Sequence, residues 1–309
     1  MVSNTVVFDE IFEYRIIDTK TGGMGEVLIL ERISKQQEMD FVHQKIIAAK
    51  TFIEGNNYKY NEKIFERELL IWLNFSDSIF ENNKIVKLLR TTYFCNKLYA
   101  LMPFYHLSVA DLIAHKRQID IYQSHLIITH IVQALKIAFE RYGVVHQDLK
   151  PQNILCKKAS NKQDEFHVSD WGIANIQLYS CPEIPTNKWL PLSFVEIMSN
   201  SGTLPYMSPE RLIGYPSNLL ADVYSIGIIY FELLFGALPF DLNTPIEEQI
   251  LNGEYYNIAC RALKNNFSNN SKLISFIQYC INPDLKIRYS NYRSLENDLK
   301  KLNQKWLFF

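Results

Sequence analysis

From His146 to Asn153 the chain reads His-Gln-Asp-Leu-Lys-Pro-Gln-Asn, and side chains of these types can move a phosphoryl group. Asp148 is a carboxylate able to orient a hydroxyl, Lys150 two residues on is an ammonium, and Asn153 five residues on is a carboxamide. At that spacing Asp148 and Asn153 can face the same metal-bound phosphates. Read alone, the stretch is equally a polar turn after a helix. It is followed by Val168-Ser169-Asp170-Trp171-Gly172, an apolar run closing on a carboxylate and a glycine, and then by Gly202-Thr203 and Ser208-Pro209-Glu210.

In this order the three motifs resemble the catalytic loop, the metal-binding Asp-Phe-Gly and the Ala-Pro-Glu of the eukaryotic-type (Hanks-type) serine/threonine protein kinase family. The resemblance covers nearly the whole chain. It implies an α+β, bilobal kinase fold with a β-rich N-lobe over about 12–103 and a larger helical C-lobe over about 104–305. Residues 1–11 become a short N-terminal extension and 306–309 a C-terminal tail. The implied cofactors are ATP with Mg2+ or Mn2+, and the implied partners are protein substrates offering serine or threonine hydroxyls. Asp148 would orient the acceptor hydroxyl and take its proton, Asn153 and Asp170 would hold the metal, and Lys150 would lie along the γ-phosphate. Lys150 and Thr203 lean toward serine/threonine rather than tyrosine acceptors. Three departures stand out: Lys20 where the first glycine of the glycine-rich loop sits, Gln147 before the aspartate, and Trp171 in place of the phenylalanine. They would suit a pseudokinase scaffold, a reading that the intact chemical residues oppose. A small-molecule phosphotransferase shares the Asp and Asn logic but has no need of the peptide-docking floor implied by Thr203 and Glu210.

Composition bounds these readings. The 309 residues are 48% hydrophobic, enough for one two-lobed domain and no second enzyme. A net charge of −1 supplies no global field to recruit nucleic acid or an anionic membrane. The five cysteines are scattered, without the close pairs of a zinc site or a disulfide framework, which suits a reducing cytosol. The start of the sequence has no basic-then-apolar leader pattern. The strongest membrane candidate, 223–240, is interrupted by Glu232 and ends at Pro239, so it reads as a buried core helix; a cytoplasmic protein is expected.

Several elements must position the chemistry. Phe12 to Ile17 and Val27 to Leu30 are β-prone runs flanking Lys20-Thr21-Gly22-Gly23-Met24-Gly25-Glu26. Such a turn lets backbone N–H groups approach phosphates, although it reads also as an ordinary hairpin. By the resemblance it is the glycine-rich loop, with Gly22 and Gly25 as its second and third glycines, Val27 beneath the adenine and Lys20 where the first glycine sits; a lysine there could instead reach a phosphate. The strand 46–50 ends in Lys50, which read alone is a strand emerging into solvent but in the family binds the α- and β-phosphates, with Ala48 roofing the adenine. The helical stretch 62–74 offers Glu68 to orient Lys50, with Glu66 as the alternative. Runs 85–89 and 98–102 read as strands, and Met102-Pro103-Phe104-Tyr105 falls at the hinge, where the Pro103 carbonyl and the Tyr105 N–H would read adenine. Helical periodicity over 123–142 leads into the catalytic loop, and Leu155 would close on the adenine from the C-lobe side. Leu88, Trp72, Trp171 and His146 match the family's internal stack, Arg288 is expected to pair with Glu210, and 172–202 reads as the activation segment.

Overall fold

The computed structural model describes residues 5–22, 25–33, 45–53, 58–76, 84–116, 118–158, 163–171, 175–176, 203–215 and 218–303. The chain divides into two compact units, Met1–Glu81 with Ile85–His106, and Asn82–Lys84 with Leu107–Phe309.

The first unit is built on a six-stranded sheet of β1 (Val6–Phe8), β2 (Glu13–Thr21), β3 (Gly25–Arg32), β4 (Ile46–Phe52), β5 (Arg90–Phe94) and β6 (Lys97–Pro103), in the order β1-β2-β3-β4-β6-β5. Every pairing is antiparallel. Alternation along the strands sends Leu28, Leu30, Ile47, Ala49 and Leu101 to one face, where they form a core with Tyr14, Phe94 and Tyr99. Val27, Ala48, Lys50 and Met102 therefore project from the opposite face. Helix α1 (Tyr58–Ser76) contributes the buried Ile64, Phe65, Leu69, Trp72 and Phe75.

Val6–Phe8 falls within the residues read as an N-terminal extension, yet it pairs with β2 as part of the sheet. The following turn is held by the Asp9 carboxylate, which accepts from the backbone N–H of Ile11 and Phe12 at 2.8 and 2.7 Å. Arg90 donates to Asp9 and to the Tyr14 hydroxyl. Burial pushes the Tyr14 phenol up to about 12, so it stays a neutral hydrogen-bonding group.

The run 85–89 departs from the expected strand. It is largely buried, with a bridge at Ile85 and a Leu89 N–H to Leu101 carbonyl bond of 2.8 Å at its end, and the paired strand is the next segment, Arg90–Phe94. A short apolar run reports burial, not pairing, and the two are separable only by their partners.

The second unit is mainly helical: α2 (Val109–Lys116), α3 (Ile121–Tyr142), α4 (Pro209–Leu212), α5 (Leu219–Phe235), α6 (Ile246–Asn252), α7 (Glu254–Phe267), α8 (Ser271–Ile281) and α9 (Tyr292–Asn303). Its short strands are β7 (Leu107–Ser108), β8 (Val144–Val145), β9 (Ile154–Lys157), β10 (Glu165–Val168) and β11 (Asn175–Ile176). Helix α3 starts where Asp120 accepts from the Gln123 N–H and stops at Gly143, whose φ of 64° few other residues adopt readily. Helix α5 is buried on nearly all sides, as an all-round apolar sequence requires, and packs on α3 and α8. A Cβ at Gly227 would run into Cys280 and Ile281, so the glycine sets how closely α5 and α8 approach. Leu295, Leu299 and Leu302 bury one stripe of α9; Trp306, read as the end of that stripe, lies outside the described residues. Among the described residues no helix is long and apolar enough to cross a membrane.

Candidate active site

In the first unit the site is a product of strand register. Lys50 lies opposite Val27 and Ala100, and its Nζ donates to Glu68 Oε1 at 2.5 Å. The two side chains are 13% and 5% exposed, so the ion pair is shielded from water and the carboxylate fixes where the ammonium points. Glu66, the other acid considered on α1, is exposed. The turn closes by a Gly22 N–H to Gly25 carbonyl bond of 2.8 Å. A Cβ on Gly25 would sit 3.2 Å from the Thr51 carbonyl and 3.5 Å from Lys50 Cε, so a side chain there would crowd the lysine. A phosphate chain fits these surroundings: a shielded ammonium beside Gly22 and Gly25, whose backbone carries no side chains. Gly23 and Met24, at the tip, lie outside the described residues. Pro103 ends β6 opposite Ile47, and Ala48 is opposite Met102. Beyond them the rings of Phe104 and His106, which flank Tyr105, meet edge to face at 4.7 Å.

In the second unit the site is irregular backbone held by hydrogen bonds. Both Asp148 oxygens are engaged: Oδ1 accepts from the Thr203 N–H at 2.9 Å and hydroxyl at 3.0 Å, and Oδ2 from Lys150 Nζ at 2.7 Å. Lys150 also donates to Thr203 Oγ1 at 2.8 Å. Asn153 Nδ2 donates to the Asp148 carbonyl at 2.9 Å, which turns the amide oxygen away from that contact. The Asn153 carbonyl accepts from the Ser169 N–H and hydroxyl at 2.8 and 3.0 Å, bringing Asp170 beside the loop. An amide oxygen and one carboxylate are a sparse donor set, the kind magnesium uses when waters and phosphates complete its octahedron. Leu155 lies on β9 opposite His167 and Ser108. Trp171 packs against the His146 ring at 4.6 Å, while Trp72 and Leu88 are buried in the first unit. Gly172, Gly202 and residues 177–202 lie outside the described residues.

Gln147 and Asp170 have φ values of 71° and 63°, a region that non-glycine residues rarely adopt. What holds the first of them was not legible in the motif. Asp222, fully buried in the first turn of α5, accepts from the His146 and Gln147 N–H groups at 2.8 Å each, and the Tyr292 hydroxyl adds a 3.3 Å bond. Burial pushes the Asp222 carboxyl up, and the nearby His146 charge and these N–H groups pull it back. Arg211 Nη1 donates to the Gln147 carbonyl, so the residue is fastened at both backbone ends. The available signal was a lone acid opening an apolar helix, which must find donors when buried. Arg288 donates to Glu210 at 2.7 Å and to the Leu220 carbonyl at 2.9 Å, tying α4 to α5.

A family model described as the protein kinase domain matches residues 22–304. The chain is 32% identical over 180 residues to serine/threonine-protein kinase PknD of Protochlamydia amoebophila, covering 55% of this chain and 17% of that protein. It is 29% identical over 234 residues to the probable serine/threonine-protein kinase PknB of Lactococcus lactis, covering 74% of this chain and 32% of that protein. To mitogen-activated protein kinase kinase 1 of Arabidopsis thaliana it is 28% identical over 203 residues, 63% of this chain and 51% of that protein. The chain thus spans between about a sixth and about a half of the length of these relatives.

Proposed function

The chain belongs to the protein kinase family, and we propose that it transfers the γ-phosphoryl group of ATP to serine and threonine hydroxyls of protein substrates, its own included. The observation that carries this reading is the Asp148 carboxylate gripped by Thr203 and Lys150. A base so fixed can orient an acceptor hydroxyl and receive its proton without paying for its own ordering during the reaction. Lys150 places a positive charge beside the same carboxylate, where it can follow negative charge developing on the transferred group.

Bound Mg-ATP supplies the activated phosphoryl group. Within the first unit Lys50, aimed by Glu68, would hold the α- and β-phosphates under the Gly22–Gly25 turn, with Val27 and Ala48 beside the base and the backbone of Pro103 and Tyr105 reading its edge. Within the second unit Asn153 and Asp170 would hold magnesium, or manganese in its place. Acceptor choice rests on the Lys150–Thr203 contact of 2.8 Å, a short-reach arrangement suited to an aliphatic hydroxyl.

Radiolabel transfer from Mg-ATP to a panel of proteins, with Asp148→Asn as control, tests the reading. Label on serine and threonine that disappears in the variant is expected. Wild-type transfer equal to that of Asp148→Asn would make the chain a nucleotide-binding scaffold, and predominant phosphotyrosine would overturn the acceptor assignment.

A further inference from the structure

Lys20 is a strand residue, and strand register gives it a direction. β2 runs through Thr21 before the turn, and Lys20 stands opposite Val27, which stands opposite Lys50, which stands opposite Ala100. Residues directly opposite one another on neighbouring strands share a face. Lys20 and Lys50 therefore project from the same side of the sheet, two strands or about 10 Å apart, with Val27 between them. The core of Leu28, Ala49 and Leu101 occupies the other side.

The charges around this row are unevenly matched. Lys50 is neutralised by Glu68, and Lys97 is paired with Glu26 at 3.5 Å. Glu26 alternates with Val27 along β3 and belongs to the opposite face. Asp18, two residues before Lys20, accepts from the Thr19 N–H. Among the described residues the exposed Lys20 ammonium has no carboxylate partner. The face that carries Lys50 therefore also carries a Lys20 ammonium held by no ion pair among the described residues, with the Asp18 carboxylate further from the turn closed by Gly22 and Gly25.

We propose that Lys20 is a second phosphate-contacting cation of the nucleotide site, reaching over Val27 to the phosphate chain from the side opposite Lys50. The proposal rests on the nucleotide-site reading given above. The side chain has the length: a lysine extends about 6 Å from its Cα, more than half the separation of the two strands, so both ammonium groups can approach one polyanion between them. A glycine at this position would leave the turn more pliable and add no charge. A lysine held in register contributes attraction that depends on the number of phosphates and weakens with salt.

Isothermal titration of Mg-ATP, Mg-ADP and adenosine into the wild type and into Lys20→Met, Lys20→Gly and Lys20→Arg tests this without measuring turnover. Lys20 is exposed, so these variants should fold, and far-ultraviolet dichroism checks that they do. Lys20→Met and Lys20→Gly should bind Mg-ATP about tenfold more weakly, equivalent to about 1.4 kcal/mol, while adenosine affinity stays unchanged and Lys20→Arg restores ATP binding. Equal losses for ATP and adenosine, or unchanged ATP affinity in both neutral variants, would overturn the role of Lys20. A wild type that binds neither ligand would overturn the nucleotide site itself, and the role of Lys20 with it.

Discussion

The candidate site residues of the two units are held by different means. In the first unit Lys50 owes its position to β4, a strand paired on both sides, and needs one further partner, Glu68. In the second unit Asp148 lies on irregular backbone, with left-handed residues at 147 and 170 that each cost on the order of 1–3 kcal/mol unless surrounding bonds compensate. At Gln147 those bonds come from far along the chain, from Asp222 and Arg211, while Thr203 holds the adjacent Asp148. A lysine on a ladder should therefore lose function when mutated but leave the scaffold standing, whereas the loop should fail when residues that never meet substrate are changed.

The largest effects are expected at the groups to which the proposed function gives contact with the phosphoryl group. Asp148→Asn and Lys50→Met should each lower turnover by orders of magnitude in initial-rate measurements, and Asp170→Asn should also raise the magnesium concentration needed for half-maximal rate. Retention of wild-type rate by any of these variants would remove that residue from its role.

Asp222 sharpens the contrast between the two units. Asp222→Ala leaves the buried N–H groups of His146 and Gln147 without their acceptor, at about 1–3 kcal/mol each. Urea unfolding should show a loss of roughly 2–6 kcal/mol together with a large fall in turnover. Glu68→Gln keeps a hydrogen-bond acceptor for Lys50, so it should reduce turnover with a clearly smaller loss of stability. Equal stability losses in the two variants would erase the distinction drawn between ladder and loop.

Acid should also act through the second unit. Burial pushes His125, His130 and His167 down to about 4, against an ordinary value of 6.5. The unfolded chain therefore binds more protons than the folded one between those values, so stability is fully present above about pH 6.5 and declines as pH falls toward 4. For His125 alone the loss at pH 5 is about 2 kcal/mol. His125→Gln should flatten the pH dependence of the urea midpoint between pH 7 and 5, and an unchanged slope would contradict the burial argument.

What could be read in the sequence follows the same division. Lys50, Glu68, Gly25 and the strand-to-helix switch carry their information locally, in alternation, spacing and turn chemistry. The choice of Glu68 over Glu66 could be made by counting from the motif, and the burial of one and exposure of the other give its physical basis. The extension of β2 through Lys20 was hidden because Asp18 and Lys20 are weak strand formers in a polar run with no apolar alternation, and its pairing with β3 shows it to be strand. The strand expected at 85–89 moved to 90–94 for the converse reason. The support of Gln147 by Asp222 and Arg211 spans 75 and 64 residues, a separation at which no local pattern reports contact.

The smallest effect is expected at Gln147, where an expected regulatory contact is missing. In many protein kinases the residue before the catalytic aspartate is an arginine that pairs with a phosphate on the activation segment and so orders it. Here the side chain is a buried carboxamide whose Nε2 has no hydrogen-bond partner among the described residues, while its backbone is already fixed by Asp222 and Arg211. A neutral amide gains no charge-assisted bond from a dianionic phosphate, and the backbone it belongs to needs no further ordering. Phosphate on the segment 172–202 should therefore add little to the catalytic loop. Phosphatase treatment of the purified protein, confirmed by mass spectrometry, should change the initial rate by less than about tenfold, equivalent to about 1.4 kcal/mol of transition-state stabilisation. Gln147→Arg should raise the sensitivity to the same treatment, because it supplies the guanidinium that the phosphate lacks. A larger fall in the wild type, recovered on rephosphorylation of that segment, would show that another cation does the work of the missing arginine and that the loop of the second unit is not self-supporting.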